Sequence, residues 1–267
     1  MSFSADLILI AQICQKEDSS MISDSLIERA LSESRHRKVA DVRAGLGYSC
    51  VMLEDGACGL AYTFRNELGD CCSILGSAGS LIGKDVDALI PWLRDGNLLK
   101  AAVGLAAVNA VINEAGKRWD TGNVIDAITI GPSDTFGMIG NFKPIMAKVR
   151  TMTEKIYVFE RNVPEGSGLY PSETIPVHLP KCDVVILTAT SLINHTFDEV
   201  VESCKNAREV CMVGPSTPLC GEIFKPLNIT LLAGSVVTNP GLILQIVSQG
   251  GGTLAMKPAV RQVLLRV

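Results

Sequence analysis

Four runs in the second half of the chain, FGMIG (136–140), DVVILT (183–188), EVCMVG (209–214) and ITLLAG (229–234), are apolar over most of their length. A strand with one face in water alternates polar and apolar side chains, so an unbroken apolar run has to be covered on both faces. Between these runs lie segments with helical patterning, over about 143–153, from Thr196 onward and over about 240–249, with a helical turn near 219–225. KIYVFE (155–160) supplies one more strand. Strand–helix alternation of this kind predicts an α/β domain with a mainly parallel sheet. The proline-rich stretch 161–181 is too irregular for a full crossover helix and reads as a loop over one sheet edge.

The first half has a different pattern. MISDSLIERALSES (21–34) places Ile22, Leu26, Ile27 and Ala30 on one helical face. VADVRAGLGYSCVML (39–53) and ACGLAYTF (57–64) flank Glu54-Asp55-Gly56, a hairpin signal. LIGKDVDALIPWLRDGN follows, broken by Pro91, and Asn97 is placed to cap a long helix through LLKAAVGLAAVNAVINEAG. A helix apolar nearly all round must be buried on more than one side, which predicts an α+β unit. A polar break at GKRWDTGN (116–123) divides the chain into 1–120 and 121–267.

The balance of charge narrows the function classes. With 24 basic against 28 acidic residues, net charge is −4 and no basic field exists to attract nucleic acid. The short cluster SRHRK (34–38) reads as a solvated helix end. No membrane span is predicted, because the run AAVGLAAVNAVI (101–112) is too short and carries an asparagine. DLILIAQIC (6–14) lacks the basic flank of a signal peptide, so a cytoplasmic location is expected. Of the nine cysteines none forms a C-x-x-C pair; Cys182 and Cys211 read as core residues, and adjacent Cys71 and Cys72 read as packing before metal binding. The apolar composition permits a homodimer without requiring one.

Ligands of open parallel sheets collect at the carboxyl ends of the strands. Read in order, those ends are Gly137-Met138-Ile139-Gly140-Asn141; Glu160-Arg161-Asn162; Thr188-Ala189-Thr190-Ser191 with Asn194 and Thr196; Gly214-Pro215-Ser216-Thr217-Pro218; and Gly234-Ser235, reaching Asn239-Pro240. Four of the five turn abruptly from apolar residues to Gly, Ser, Thr and Asn. Such ends expose backbone N–H groups and short polar side chains, and helix N-termini there favour anions. The expectation is a shared pocket, with an anion at the turn 134–145, where Pro144 leaves the Asn141, Phe142 and Lys143 amides free.

That turn is not a dinucleotide fingerprint. Gly137-x-x-Gly140 has the wrong spacing, Met138 and Ile139 are bulky, and Phe142 stands where a pyrophosphate would want no side chain. Glu160, twenty residues after Gly140, does fall where a ribose-binding acid would. Thr196-Phe197-Asp198-Glu199 fits a capping box. His195 reads as a solvated loop residue before an acid/base group. Ser216 lacks a G-x-S-x-G elbow and a partner histidine, so no triad is assigned. Asn109, at helical spacing from Ala102, Leu105 and Ile112, reads as a satisfied core amide, or as an interface residue if its helix packs toward the second half.

GMIGNFKPI, CDVVILTATSLINHT, VCMVGPSTPL and LLAGSVV resemble the motifs of a heavy-metal chelation family of uncharacterised activity, and LIPWLRDGNLLKAAVGLAAVNA resembles its N-terminal partner domain. The resemblance covers nearly the whole chain. It implies an enolase-N-terminal-like domain joined to a Rossmann-like domain, with an active site in the cleft between them. The residues it carries onto this chain are Gly140, Asn141, Phe142, Glu160, Thr190, Asn194, Thr196, Gly214, Pro215, Ser216 and Thr217. Ala189 stands where a glycine is expected.

The strand ends offer only His195 and Glu160 as metal ligands, too few for a protein cage around a heavy metal. The expected ligand is a small anionic or metal-chelating molecule that the protein binds, makes or modifies. Two further readings are a non-catalytic binder of a metal or metal complex, and a nucleotide- or S-adenosylmethionine-dependent transferase. The sequence names no cofactor and no catalytic residue.

Overall fold

The computed structural model describes residues 21–69 and 74–267; the segment 6–14 and the pair Cys71-Cys72 lie outside them. The first helix among the described residues, α1 (Ile22–Ser34), buries Ile22, Leu26, Ile27 and Ala30 as its apolar spacing dictates. Three strands follow as an antiparallel sheet, β1 (Val39–Ala44), β2 (Tyr48–Leu53) and β3 (Cys58–Tyr62). The run 39–53 is thus two strands, folded at Gly45-Leu46-Gly47, because Gly45 N–H pairs back to the Tyr48 carbonyl at 2.9 Å. In SRHRK, His36, Arg37 and Lys38 each pair with a carboxylate: Asp87, Asp55 and Asp85.

The long helix α2 (Leu98–Ile112) starts as its cap predicts: Asn97 Oδ1 accepts from the amides of Leu99 and Lys100. Every residue from Ala101 to Ile112 is buried. Two glycines allow this. Any side chain on Gly104 would overlap the Trp92–Leu93 backbone, and one on Gly59 of β3 would overlap the α2 backbone at Ala106 and Ala110. The helix therefore lies directly on the small sheet.

The second sheet has eight strands in the order β4-β11-β10-β9-β8-β5-β6-β7. These are β4 (Asp120–Thr121), β5 (Thr135–Ile139), β6 (Lys155–Glu160), β7 (Tyr170–Pro171), β8 (Val184–Thr188), β9 (Glu209–Val213), β10 (Leu231–Val237) and β11 (Val260–Arg266). Strands β5 to β10 pair in parallel, whereas β11 runs antiparallel to β10 and β4 antiparallel to β11. Helices α3 (Lys143–Val149), α4 (Phe197–Glu202) and α5 (Pro240–Ser248) intervene. Val184 to Leu187 of β8 are completely buried, the outcome required by an unbroken apolar strand at the sheet's centre. One buried cluster runs from α1 and α2 into β8, β9 and β10, so the two halves share core.

Three expectations change. Strand β10 continues to Val237, so Gly234 and Ser235 lie inside a strand and not at its end. Strand β11 adds an antiparallel neighbour between β10 and the edge strand β4, which a pattern of continuous apolar runs does not reveal. The capping box is not formed: Thr196 is in helical conformation, its hydroxyl donates to Asn194 Oδ1 at 2.8 Å, and no side-chain bond caps α4. An N-cap residue needs extended backbone for its oxygen to reach the second or third amide, and Thr196 lacks it.

Candidate functional site

Counted from β5, the parallel strands follow the doubly wound order in which the second strand lies outside the first and the third on its other side. The switch point falls between β5 and β8. Beyond it opens a cleft of about 990 Å³. Its lining includes nine of the eleven residues singled out above: Gly140, Phe142, Glu160, Thr190, Asn194, Thr196, Gly214, Pro215 and Ser216. Tyr48, Tyr62 and Phe64 face it from the small sheet and the segment after it. The loops of both halves thus meet around one cavity.

Asn141 and Thr217 are not in the lining. Thr217 is fully buried beneath it, with its hydroxyl donating to the Ala233 carbonyl at 3.2 Å. The Asn141 amide donates to Glu160 Oε1 at 2.6 Å. This bond narrows what the 134–145 turn can hold. Of the three amides expected to be free for an anion, that of Asn141 already holds a carboxylate, and the acid that holds it, Glu160, stands where a ribose-binding acid would fall. Helix α3 is only seven residues long. Gly140, at φ 86°, makes the turn possible and packs against Thr188.

Hydroxyls at the end of β8 bond among themselves. Thr188 and Thr190 share a 3.0 Å bond, and Ser191 donates to the Thr188 carbonyl at 2.8 Å. His195 turns away from the cleft and meets the Asp95 carbonyl through Nε2 at 3.2 Å, on a backbone of φ 59°.

GPSTP is held from below by two asparagines of α2 and its C-terminal end. Asn109, completely buried, donates to the Leu60 carbonyl at 2.9 Å and the Ser216 carbonyl at 3.0 Å. Asn113 donates to the Thr217 carbonyl at 2.9 Å and accepts from the Leu219 amide at 2.9 Å. Ser216 Oγ accepts from the Tyr62 amide at 2.9 Å, so this hydroxyl ties β3 to the loop. Asn109 therefore does link the halves. Asn113 and Tyr62 had no local signal, since their partners lie more than a hundred residues away.

At the opposite rim Glu67 pairs with Arg161 at 2.6 Å, and the Arg161 guanidinium lies 5.7 Å from the centre of the Phe64 ring. Glu160, Glu173 and Glu199 also line the cleft. With the Glu67–Arg161 pair neutralised, the charged lining is acidic. No three His, Cys, Asp or Glu side chains among the described residues come together as metal ligands. No helix among them is long and apolar enough to cross a membrane.

The family profile of DUF364, described as "Putative heavy-metal chelation", matches residues 123–266, just over half of the chain. The chain belongs to this family. The DUF4213 profile, which carries the same description, matches residues 27–112. An uncharacterized protein of Methanocaldococcus jannaschii is 27% identical over 262 residues, which span 93% of this chain and 99% of that one. Two solved structures of DUF364 proteins with unknown function share the fold. That from Desulfitobacterium hafniense superimposes with a TM-score of 0.77 at 22% identity, covering 92% of this chain and 97% of its own. That from Pyrococcus horikoshii gives 0.81 at 24% identity, covering 92% of this chain and all of its own. The mixed α/β architecture, with a mainly parallel eight-stranded sheet and a separate antiparallel one, is the family's.

Proposed function

We propose that the cleft binds a small metal-chelating molecule in its metal-bearing form, with residues 1–120 and 121–267 as the two units that enclose it. The observation carrying this reading is the cavity at the switch point, where the polar strand ends face Tyr48, Tyr62 and Phe64. Its size suits a drug-sized ligand. Its charge argues against a bare anion: Glu160, Glu173 and Glu199 stand there without an arginine or lysine partner among the described residues, and the Asn141 amide is taken. A complexed metal brings the positive charge that three carboxylates favour, and the aromatic rings suit its organic shell. Because the lining is poor in Cys and His, the ligand supplies the donor atoms to the metal and the protein recognises the complex. In this reading the protein works in the cytoplasm, without nucleic acid or membrane as partner.

A thermal-shift comparison tests it, using cationic metal–polyamine complexes, anionic metal–aminocarboxylate complexes, each chelator without metal, and nucleotides and S-adenosylmethionine. A cationic complex should raise Tm in proportion to the logarithm of its concentration, and Glu199→Gln with Glu173→Gln should abolish the rise. Stabilisation by nucleotides or by anionic complexes alone would overturn the reading.

A further inference from the structure

The register of the small sheet sets Tyr48 opposite Tyr62, Cys50 opposite Leu60 and Met52 opposite Cys58. Side chains alternate along a strand, so these six share one face. Three sulfur residues therefore occupy adjacent positions: Met52 lies across from Cys58 and two residues along from Cys50, and the two cysteines are diagonal neighbours. Cys50 and Cys58 belong to the buried cluster formed with Ile243, Ile246 and Val247 of α5, and Met52 packs against it.

The thiols also differ from the others in their bonding. Cys182 and Cys204 donate to carbonyls four residues back, those of His178 and Val200, and Cys211 donates to Glu209. Cys50 and Cys58 are instead diagonal neighbours of each other, and the adjacent Cys50 thiol, followed by burial, pushes the Cys58 thiol well up. Diagonal partners in an antiparallel pair have Cα atoms roughly 7–8 Å apart, beyond the usual span of a disulfide. An ion placed between the sulfurs lengthens the link by two metal–sulfur bonds and removes that mismatch.

We propose that Cys50, Cys58 and Met52 form a site for a soft metal ion of low coordination number, of the class of Cu(I), Ag(I) and Hg(II). Thiolate and thioether ligands select such ions over hard ones. Binding exchanges thiol protons for the charge of the ion: Hg(II) displaces both, while Cu(I) or Ag(I) displaces one and keeps the second thiol and the Met52 thioether as neutral donors, the protons leaving to solvent in each case. A divalent ion with two thiolates is neutral, which an apolar enclosure tolerates. Entry is from the hairpin side, where Cys58 lines a separate cavity of about 590 Å³ with Arg37, Asp55 and Glu114. None of the three sulfur residues lines the cleft, whose Tyr48 and Tyr62 sit farther along the same face.

The test uses the full chain with Cys14, Cys71 and Cys72 changed to serine, loaded with Cu(I) or Hg(II) and desalted in a large excess of monothiol. Only a chelating site keeps its ion under that competition. One equivalent per chain should remain, and it should protect Cys50 and Cys58, but not Cys211, from alkylation mapped by mass spectrometry. Cys58→Ala and Cys50→Ala should each weaken retention by about a hundredfold and Met52→Leu by about tenfold, with Cys211→Ala unchanged. Circular dichroism confirms that each variant is folded, and Cys58→Ala alone suffices if Cys50→Ala is not. No retained metal in the parent chain, or equal retention after Cys58→Ala, would overturn the proposal.

Discussion

Two of the places where the small sheet and its helix meet the loops of the parallel sheet are built from opposite materials. Beneath GPSTP the contacts are uncharged and mostly buried: Asn109 and Asn113 reach the carbonyls of Leu60, Ser216 and Thr217, and Ser216 receives the Tyr62 amide. At the other rim a single ion pair, Glu67 with Arg161, spans the gap with side chains 32% and 48% exposed. Water can replace a rim partner at little cost, but it does not reach the buried carbonyls. The seam therefore adds to the shared core a set of bonds that water cannot replace, whereas the rim pair is replaceable.

Changes on each side should separate these roles. Asn109→Ala strips two buried carbonyls of their donor and should cost about 3 kcal/mol, read as a lower urea midpoint with unchanged slope. A loss below about 1 kcal/mol would put the seam on a par with the rim. Ser216→Ala removes one acceptor and should cost about 1–2 kcal/mol, with faster hydrogen exchange at the Tyr62 amide as its specific mark. Arg161→Ala should cost less than about 1 kcal/mol, and this small effect should shrink further in high salt. An effect of Arg161→Ala that survives high salt would mean that the rim, too, is structural.

Much of this molecule could be read from residue order. Continuous apolar runs announced β5, β8 and β9, and Asn97 announced the start of α2, because each signal depends on neighbours a few residues away. The polar strand ends were legible for the same reason, and nine of the eleven nominated positions line one cleft. Where the reading failed, a competing partner had intervened, from another strand for Asn141 and from two residues back for Thr196. The Asn141 amide looked free until β6 brought Glu160 to it, and Thr196 looked like a cap until the preceding turn put Asn194 within reach of its hydroxyl. Strand β11 was missed because its burial is uneven along its length, as befits a strand near the sheet edge.

The sequence alone determined the parallel sheet, the buried helix and the polar character of the loops, since hydrophobic periodicity and capping are local properties of the chain. Tertiary structure decided which of those polar groups remain available to a ligand. Hydrogen-bond partners are chosen by proximity in space, and here Ser216 meets Tyr62 across 154 positions and Asn109 meets Ser216 across 107. The same principle brought Cys50, Met52 and Cys58 onto one face: their identities are written in the sequence, but the register that makes them neighbours is set by the paired strands.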